Sequence, residues 1–457
     1  MGKIAVDLEL ITKYSVPGPR YTSYPTAPHF TEAITWPTLL EAIRRNNATE
    51  REVSLYFHLP FCQSLCWFCG CTTVITHDQG KSAVYLEYLR KEVALLKPLL
   101  NPRRLVGQLH FGGGTPTFLR PDEIRALGDL IHSNFKLADN AETGVETDPR
   151  GITRDHLRAL REIGANRASL GVQDTNSKVQ LAVHRWQPNE LNQTAFGWLR
   201  AEGFRSLSVD LIYGLPLQTA ESFAVTIDDV LALSPDRLSV FSYAHVPWLK
   251  PSQKIFEDRG QLPTPEQKLA MFALAHERLT HAGYIDIGLD HFARPDDEMA
   301  VAQRAGTLHR NFQGYSTRAG ASLYGFGMSS ISSTADTYRQ NHKTLPAWHA
   351  ALAEGRLPIE RGLRLTPEDQ RRRTIIMRIM GDRRLDYAAL SQQIGVDFAA
   401  TYARELASLV DLEADGLLVR DGTHLEVTHV GAPLLRVIAM RFDTTLSANP
   451  RRHAQTV

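Results

Sequence analysis

Four cysteines lie within ten residues of one another and are the only ones in a chain of 457: Cys62, Cys66, Cys69 and Cys71, in FHLPFCQSLCWFCGCTT. A chain that keeps all its thiols in one loop uses them as a set. The C-x3-C-x2-C part supplies three thiolates, one fewer than a closed structural zinc site or a fully ligated iron–sulfur cluster takes. An open coordination position lets a metal centre touch a substrate or cofactor, so this loop points to chemistry. A disulfide framework fits poorly, because the chain is large enough to build its own core and opens with no signal peptide. A zinc knuckle that recruits Cys71 remains an alternative, although zinc ligands usually come as two separated pairs. The apolar neighbours Phe61, Leu65, Trp67 and Phe68 would shield a cluster from water, which is one lever on its potential.

Read as Tyr-x-His-x-Pro-Phe-Cys-x3-Cys-x-Phe-Cys, the loop resembles the cluster loop of radical S-adenosylmethionine (SAM) enzymes. The fourth cysteine, two residues on, makes it similar to the oxygen-independent coproporphyrinogen III oxidase family. The resemblance continues in family order through GPRYTSYPT (Gly18 to Thr26), LHFGGGTPT (Leu109 to Thr117), GVETDPR (Gly144 to Arg150), SLGVQD (Ser169 to Asp174) and VDLIYGLP (Val209 to Pro216). It runs on through DRLSVFSYAH (Asp236 to His245), DHFARPDDE (Asp290 to Glu298) and LHRNFQGYST (Leu308 to Thr317) to RRLDY (Arg383 to Tyr387).

The resemblance implies one 4Fe–4S cluster on Cys62, Cys66 and Cys69, with Cys71 not a ligand, and two SAM molecules beside it. Tyr56, Gly113, Glu146 and Ser330 match positions around the cluster-bound SAM. Phe68, Gly114, Thr115, Gln173, Arg185, Asp210 and Ala244 match positions around the second. The family pattern has Ala where Ser330 stands, so a backbone contact is what carries over there. The implied substrate is coproporphyrinogen III, a tetrapyrrole with four propionates, of which those on rings A and B become vinyl groups. Its carboxylates need cations, and Arg20, Arg294 and Arg310 stand in family segments, with Tyr21 and Tyr24 near the first. An electron donor and an electron acceptor are also implied, neither named by any residue.

The residues carry part of this reading by themselves. Gly112 to Gly114 remove side chains where backbone must approach a ligand closely, or simply form a tight turn. Glu146 could meet a ribose diol or an ammonium group, or cap a helix. Asp210 sits inside an apolar run and needs a partner. Arg185 offers a fork that matches a carboxylate, or faces solvent.

Around these residues, short apolar runs alternate with helical patterns. Strands are expected at 54–59, 107–112, 143–147, 167–172, 207–213 and 237–243. Leu86, Leu89, Val93 and Leu96 step by three or four, as do Ile124, Leu127, Ile131 and Phe135. Thr153 and Gly164 bracket one helix, and Thr264-Pro265 and Gly283 another. Alternation predicts parallel βαβ units. An α/β fold is therefore expected: an incomplete (β/α)6 TIM-type barrel, as the resemblance implies, with a doubly wound open sheet as the alternative. The candidate residues follow strand ends, where a barrel carries its active face. Four regions are expected: an N-terminal extension over 1–50, the barrel over 51–295, an irregular glycine-rich connection over 296–363, and a mostly helical domain over 364–457. The last has a winged-helix character, with a long helix near 398–412, a hairpin at Asp421-Gly422 and a final helix near 431–442.

Hydrophobic content of 43% with 22% charged residues describes an ordinary globular protein. A net charge of +1 gives no reason to expect nucleic acid or an anionic membrane as partner. No apolar run approaches the roughly 18 residues of a membrane span. The N-terminus reads as neither signal peptide nor myristoylation site, since Val6 stands where Ser or Thr is required. A cytoplasmic monomer is expected. A non-catalytic heme-carrying relative would share loop and barrel, but it lacks the fourth cysteine and the Arg20–Thr26 segment. It also carries a His-Asn-x-x-Tyr-Trp motif that His309 to Tyr315 do not match. A radical SAM methyltransferase acting on another tetrapyrrole is a third reading.

Overall fold

All six expected strands form. In the computed structural model, which describes residues 7–49 and 51–446, they are β1 (Val53–Leu59), β2 (Val106–Gly113), β3 (Leu137–Thr147), β4 (Arg167–Gln173), β5 (Ser206–Tyr213) and β6 (Arg237–Ser242). The reading of residues 1–6 as no targeting segment lies outside the described residues. Each strand is followed by a helix: α1 (Gly80–Leu96), α2 (Pro121–Asn134), α3 (Arg154–Glu162), α4 (Asn189–Ala201), α5 (Ala220–Ala232) and α6 (Pro265–His281). The caps are those expected, with Thr153 accepting from the His156 N–H and Thr264 from the Gln267 N–H.

β1 to β6 pair in chain order, each pair parallel. Sequential order arises when every right-handed crossover adds its strand on the same side. A doubly wound sheet reverses direction at a switch point, so that alternative is set aside. The sheet stays open and is extended at both edges. Ser322–Phe326 adds a parallel strand beside β1, followed outward by Ile331–Ser333, Thr337–Asn341 and Ile359–Arg364. His291–Ala293 pairs antiparallel with β6.

This corrects the expectation for 296–363. The stretch holds a helix (Glu298–Arg304), a hairpin (His309–Asn311 with Gly314–Ser316), the four edge strands and a second helix (Leu345–Ala353). Its strands are three to six residues long, and apart from the buried Ser322–Phe326, whose apolar content a glycine interrupts, they are rich in polar residues, so they show no apolar run.

The barrel strands alternate. Leu55, Phe57, Leu109, Phe111, Leu170, Val209, Leu211 and Val240 point toward the helices and build the main core. Ser54, Tyr56, His58, Gln108, His110, Ser169, Ser208, Asp210 and Ser239 occupy the opposite register, facing the lumen. A complete barrel fills its interior with branched apolar layers; here the inner face is polar, which suits a ligand.

The C-terminal part packs helices Pro367–Asp382 and Tyr387–Ile394 against a three-stranded sheet whose hairpin turns at Asp421-Gly422. The long helix expected near 398–412 is instead three short ones, Phe398–Thr401, Ala403–Ala407 and Val410–Ala414. The break follows from Tyr402 leaving helical geometry (φ −108°, ψ 28°) with its ring fully buried. The final helix is Leu435–Met440, preceded by one 3-10 turn. Ile11, Tyr14, Tyr21 and Tyr24 share this domain's apolar cluster with Ile375, Leu385, Phe398 and Phe442. The N-terminal extension is thus bound into the C-terminal core.

Candidate active site

The cysteine loop leaves β1 and is latched from three sides. The Trp67 N–H donates to Val183 O (3.0 Å), Gln253 Nε2 donates to Phe68 O (3.1 Å) and Lys250 Nζ donates to Cys71 O (2.6 Å). His58 Nε2 bonds Thr72 O at 3.0 Å, and His184 Nδ1 bonds Leu65 O at 2.8 Å. The Trp67 and His184 rings stack. A loop held this closely presents its thiols in a fixed arrangement.

Each of the three expected ligands has its own environment. Cys66 Sγ receives Arg150 Nη2 at 3.5 Å and Arg185 Nη1 at 3.4 Å. Asp148 ties those two guanidiniums together, 2.6 Å from Arg150 and 3.2 Å from Arg185. Burial works to raise the Asp148 carboxyl, but Arg185 and Arg150 outweigh it and hold it at about 2. Cys62 Sγ lies 3.4 Å from Thr115 Oγ1, and burial lifts its thiol to about 11. The Cys69 thiol is held below its ordinary value, first by a hydrogen bond with the Cys71 side chain, to which the Cys71 backbone N–H, 3.4 Å from Cys69 Sγ, adds. Among the described residues no three thiol, imidazole or carboxylate groups converge on a point as a single metal ion would need.

Next to the loop, β2 ends in glycines for a measurable reason. A Cβ on Gly114 would stand 2.5 Å from the Pro60 carbonyl carbon and oxygen, and one on Gly113 (φ +112°) 2.4 Å from the His58 ring. The Gly113 N–H donates to Glu146 Oε2 at 3.0 Å, and His110 Nε2 lies 3.5 Å from Glu146 Oε1. Burial pushes the Glu146 carboxyl up, but His110 and Gly113 together hold it below its ordinary value. Tyr56 bonds His58 Nδ1 at 3.1 Å and stacks on His110. Asp210 accepts from Ser169 Oγ at 2.6 Å, and burial raises its carboxyl to about 6. Glu146 and Asp210 face one cavity of about 210 Å³ in the lumen, with Ser239, Phe241 and His291 also on its wall.

Some atoms here have unused hydrogen-bonding capacity. Gln173 Oε1 and Arg185 Nε are buried with no hydrogen-bond partner. Gln173 also adopts the uncommon φ of +70°. Buried polar atoms are normally satisfied, so an acceptor and a cationic donor beside the thiol loop fit a ligand carrying an amine and a carboxylate. Phe68 lies in an apolar cluster with Tyr243 and Phe256. The exposed Ala244 accepts from Gln253 through its carbonyl at 3.3 Å.

Residues 56–230 match the Radical SAM superfamily, and residues 365–434 match the HemN C-terminal domain. The oxygen-independent coproporphyrinogen III oxidase of Escherichia coli strain K12 is 46% identical over 97% of this chain and 96% of its own length. That of Synechocystis is 45% identical over 96% of this chain and 95% of its own. The solved structure described as coproporphyrinogen III oxidase (HemN) from Escherichia coli, a radical SAM enzyme, superposes with a TM-score of 0.92, covering 97% of this chain and all of that one. The chain belongs to the oxygen-independent coproporphyrinogen III oxidase family. It is an enzyme of the radical SAM class, and membership implies a 4Fe–4S cluster and SAM. The thiols of the loop, the cation pair on Cys66 and the unspent Gln173 and Arg185 atoms fit those groups.

Not every expected residue reaches the site. Ser330 is buried in the edge sheet, where its hydroxyl donates to Gly327 O (2.8 Å) and its carbonyl accepts the Asn341 N–H (3.0 Å), so its side chain is spent within the fold. Its neighbour Ser329 reaches His58 Nε2 at 3.3 Å instead. Tyr21 and Tyr24 are fully buried in the C-terminal core, with hydroxyls on Asp443 (2.8 Å) and Thr444 (3.1 Å), so they grip no propionate. Arg294 donates to the carbonyls of Pro235 and Ser234, ahead of β6 and so at the strand end away from the cysteines. Its job is structural. Arg310 lies in a separate cavity, described below. Arg20 does approach the lumen: it pairs with Asp290 and its guanidinium lies over the Phe241 ring. His58, His110, Asp148, Arg150 and Ser169 were absent from the expected set. For His58, His110 and Ser169 the signal was available, since polar residues at alternate positions of otherwise apolar strands mark a lined interior; Asp148 and Arg150 follow the end of β3 in a turn and carry no such signal.

Proposed function

We propose that the protein converts coproporphyrinogen III to protoporphyrinogen IX without oxygen, as a step of heme synthesis, using one 4Fe–4S cluster and two SAM molecules. The observation that carries this reading is the latched loop of three thiols, with Arg150, Asp148 and Arg185 arranged on Cys66. When bound, the cluster and SAM supply a 5′-deoxyadenosyl radical. The ring A and ring B propionates would each lose a hydrogen atom from the β-carbon, then CO2, with the remaining electron passing to an acceptor, leaving vinyl groups.

The chain's residues hold and exclude. Arg185, turning from Asp148, would take a SAM carboxylate through a charge-assisted fork. Gln173 Oε1 would accept from a ligand amine. Glu146, kept ionised by His110 and Gly113, would hold a ribose diol or an ammonium. Asp210 would hold hydroxyl donors, and a bound donor would draw its carboxyl back toward the ordinary range. Phe68, Trp67 and Phe61 keep water from the loop. Arg20 is the lumen's candidate for a propionate.

Anaerobic incubation of reconstituted protein with SAM, a reductant and coproporphyrinogen III tests this reading. It should yield the mono- and then the divinyl product, with Cys66→Ser as an inactive control. Absence of decarboxylated product from protein with a full cluster would reject it.

A further inference from the structure

A second, larger cavity of about 930 Å³ lies apart from the lumen. Thr49 and Arg51, just before β1, and Ala321 and Ser322, at the start of the strand parallel to it, form part of its wall. It therefore opens at the amino ends of the strands, opposite the cysteine loop. The His309–Asn311 strand and the helix Pro367–Asp382 supply much of the remaining wall.

Its charge is one-sided. Among the described residues, Arg45, Arg51, Arg310, Arg373 and Arg378 line it against one acid, Asp336, which is already paired with Arg45. Arg373 and Arg378 are anchored on carbonyls and on Asp382. Arg310 differs: it is 4% exposed, and its Nε and Nη1 are buried with no hydrogen-bond partner. Its guanidinium rests on the ring of Tyr315, the residue opposite it in the hairpin. Ser23, 3% exposed, lines the same cavity with an equally unpaired Oγ. Burying an unpaired charge costs far more than burying an apolar group, and the acid that acts on this guanidinium, Asp290, is already paired with Arg20, so Arg310 is short of an anion of its own. Phe312, Tyr338 and Met377 give the cavity apolar and aromatic walls as well.

We propose that this outer cavity is a second ligand site, in which Arg310 and Ser23 bind a carboxylate of a tetrapyrrole. The choice of tetrapyrrole rests on the function proposed above. The volume sits at the upper end of the roughly 300–1,000 Å³ of small-molecule sites, and the walls combine cations for propionates with an apolar face for a macrocycle. A site at the amino ends of the strands is suited to hold a tetrapyrrole before or after reaction, away from the cluster.

The test uses coproporphyrin III, the stable oxidised tetracarboxylate, titrated into the full chain by fluorescence, with hydrogen-exchange protection mapped on the complex. Protection is expected over 306–312 and 370–378. Arg310→Gln should weaken binding at least roughly tenfold, the loss of one charge-assisted contact, and Ser23→Ala less, with cluster content unchanged in both. Should Arg310→Gln not fold, Ser23→Ala and the wild-type protection pattern decide. Protection confined to 106–113 and 206–213, or unchanged affinity in both variants, would overturn the proposal. So would inorganic phosphate or citrate protecting 306–312 as strongly as the porphyrin. If the porphyrin protects 306–312 and Arg310→Gln weakens it while turnover is absent, the functional reading fails and this site stands.

Discussion

Cys71 is the residue whose part is easiest to mistake, because it lies next to the three expected ligands and touches one of them. Its side chain and its backbone N–H both hydrogen-bond with Cys69 Sγ, and Ser at 71 would keep both donors. Cys71→Ser should therefore retain iron after anaerobic reconstitution, whereas Cys62→Ser, Cys66→Ser and Cys69→Ser should each lose it, as read by iron content and visible absorption. Asp210 gives a prediction in pH. Its carboxyl moves from 3.8 unfolded to about 6 folded, burial being the largest cause. Below about pH 4 both states are protonated and Asp210 has no cost. As pH rises from 4 to 6 the unfolded chain ionises while the folded one keeps its proton, so stability falls through that window and levels off above it. The cost at pH 8 is on the order of 1–3 kcal/mol. Asp210→Asn should thus stabilise the ligand-free chain by that order at pH 8 and leave it unchanged near pH 3.5, in urea denaturation at both. A destabilised variant at pH 8 would show that the hydrogen bonds of Ser169 and Ser239 to the carboxylate outweigh the cost of its burial.

At the scale of elements, the join between β2 and the cysteine loop is the tightest constraint. Any Cβ on Gly114 meets Pro60 backbone, which cannot swing aside as a side chain can. Gly114→Ala should leave the fold cooperative but displace the loop, with reconstituted iron falling well below wild type. Full iron would mean that the loop yields more readily than its hydrogen bonds suggest. The barrel strands were legible in the sequence within a few residues at most boundaries, because each is an apolar run between turn residues. Leu137–Ala141 went unread since Asp139, Asn140 and Glu142 interrupt it. The outer edge strands after 326 were missed for the same reason, and Ser322–Phe326, though apolar and buried, is short and interrupted by Gly325. The cysteines, the glycines, Glu146, Arg185 and Asp210 stood out in the sequence because their types are scarce or out of place where they stand, and the structure brings them toward one end of the strands. Partners were not: nothing local tells that Arg294 answers carbonyls at the far strand end or that Ser330 is spent on Gly327 and Asn341.

Across the whole molecule, the extension and the C-terminal domain act as one body. Ile11, Tyr14, Tyr21 and Tyr24 sit in the same cluster as Ile375 to Phe442, so the segment's aromatic residues serve packing while Arg20 alone turns to the lumen. Tyr21→Ala should cost about 3–5 kcal/mol, the usual range for emptying a buried aromatic site, and Tyr21→Phe about 1–2 kcal/mol for the bond to Asp443. Both are read by denaturant unfolding, while Arg20→Ala should spare stability and reduce turnover. A mild Tyr21→Ala would show the segment to be loosely held. The account as a whole rests on removal of hydrogen from the propionate side chains by chemistry begun at the cysteine loop. Coproporphyrinogen III deuterated at the propionate β-carbons, turned over anaerobically with SAM, tests that step directly. The account predicts deuterium in the 5′-deoxyadenosine formed, in step with the CO2 released; divinyl product accompanied by 5′-deoxyadenosine without deuterium would contradict it.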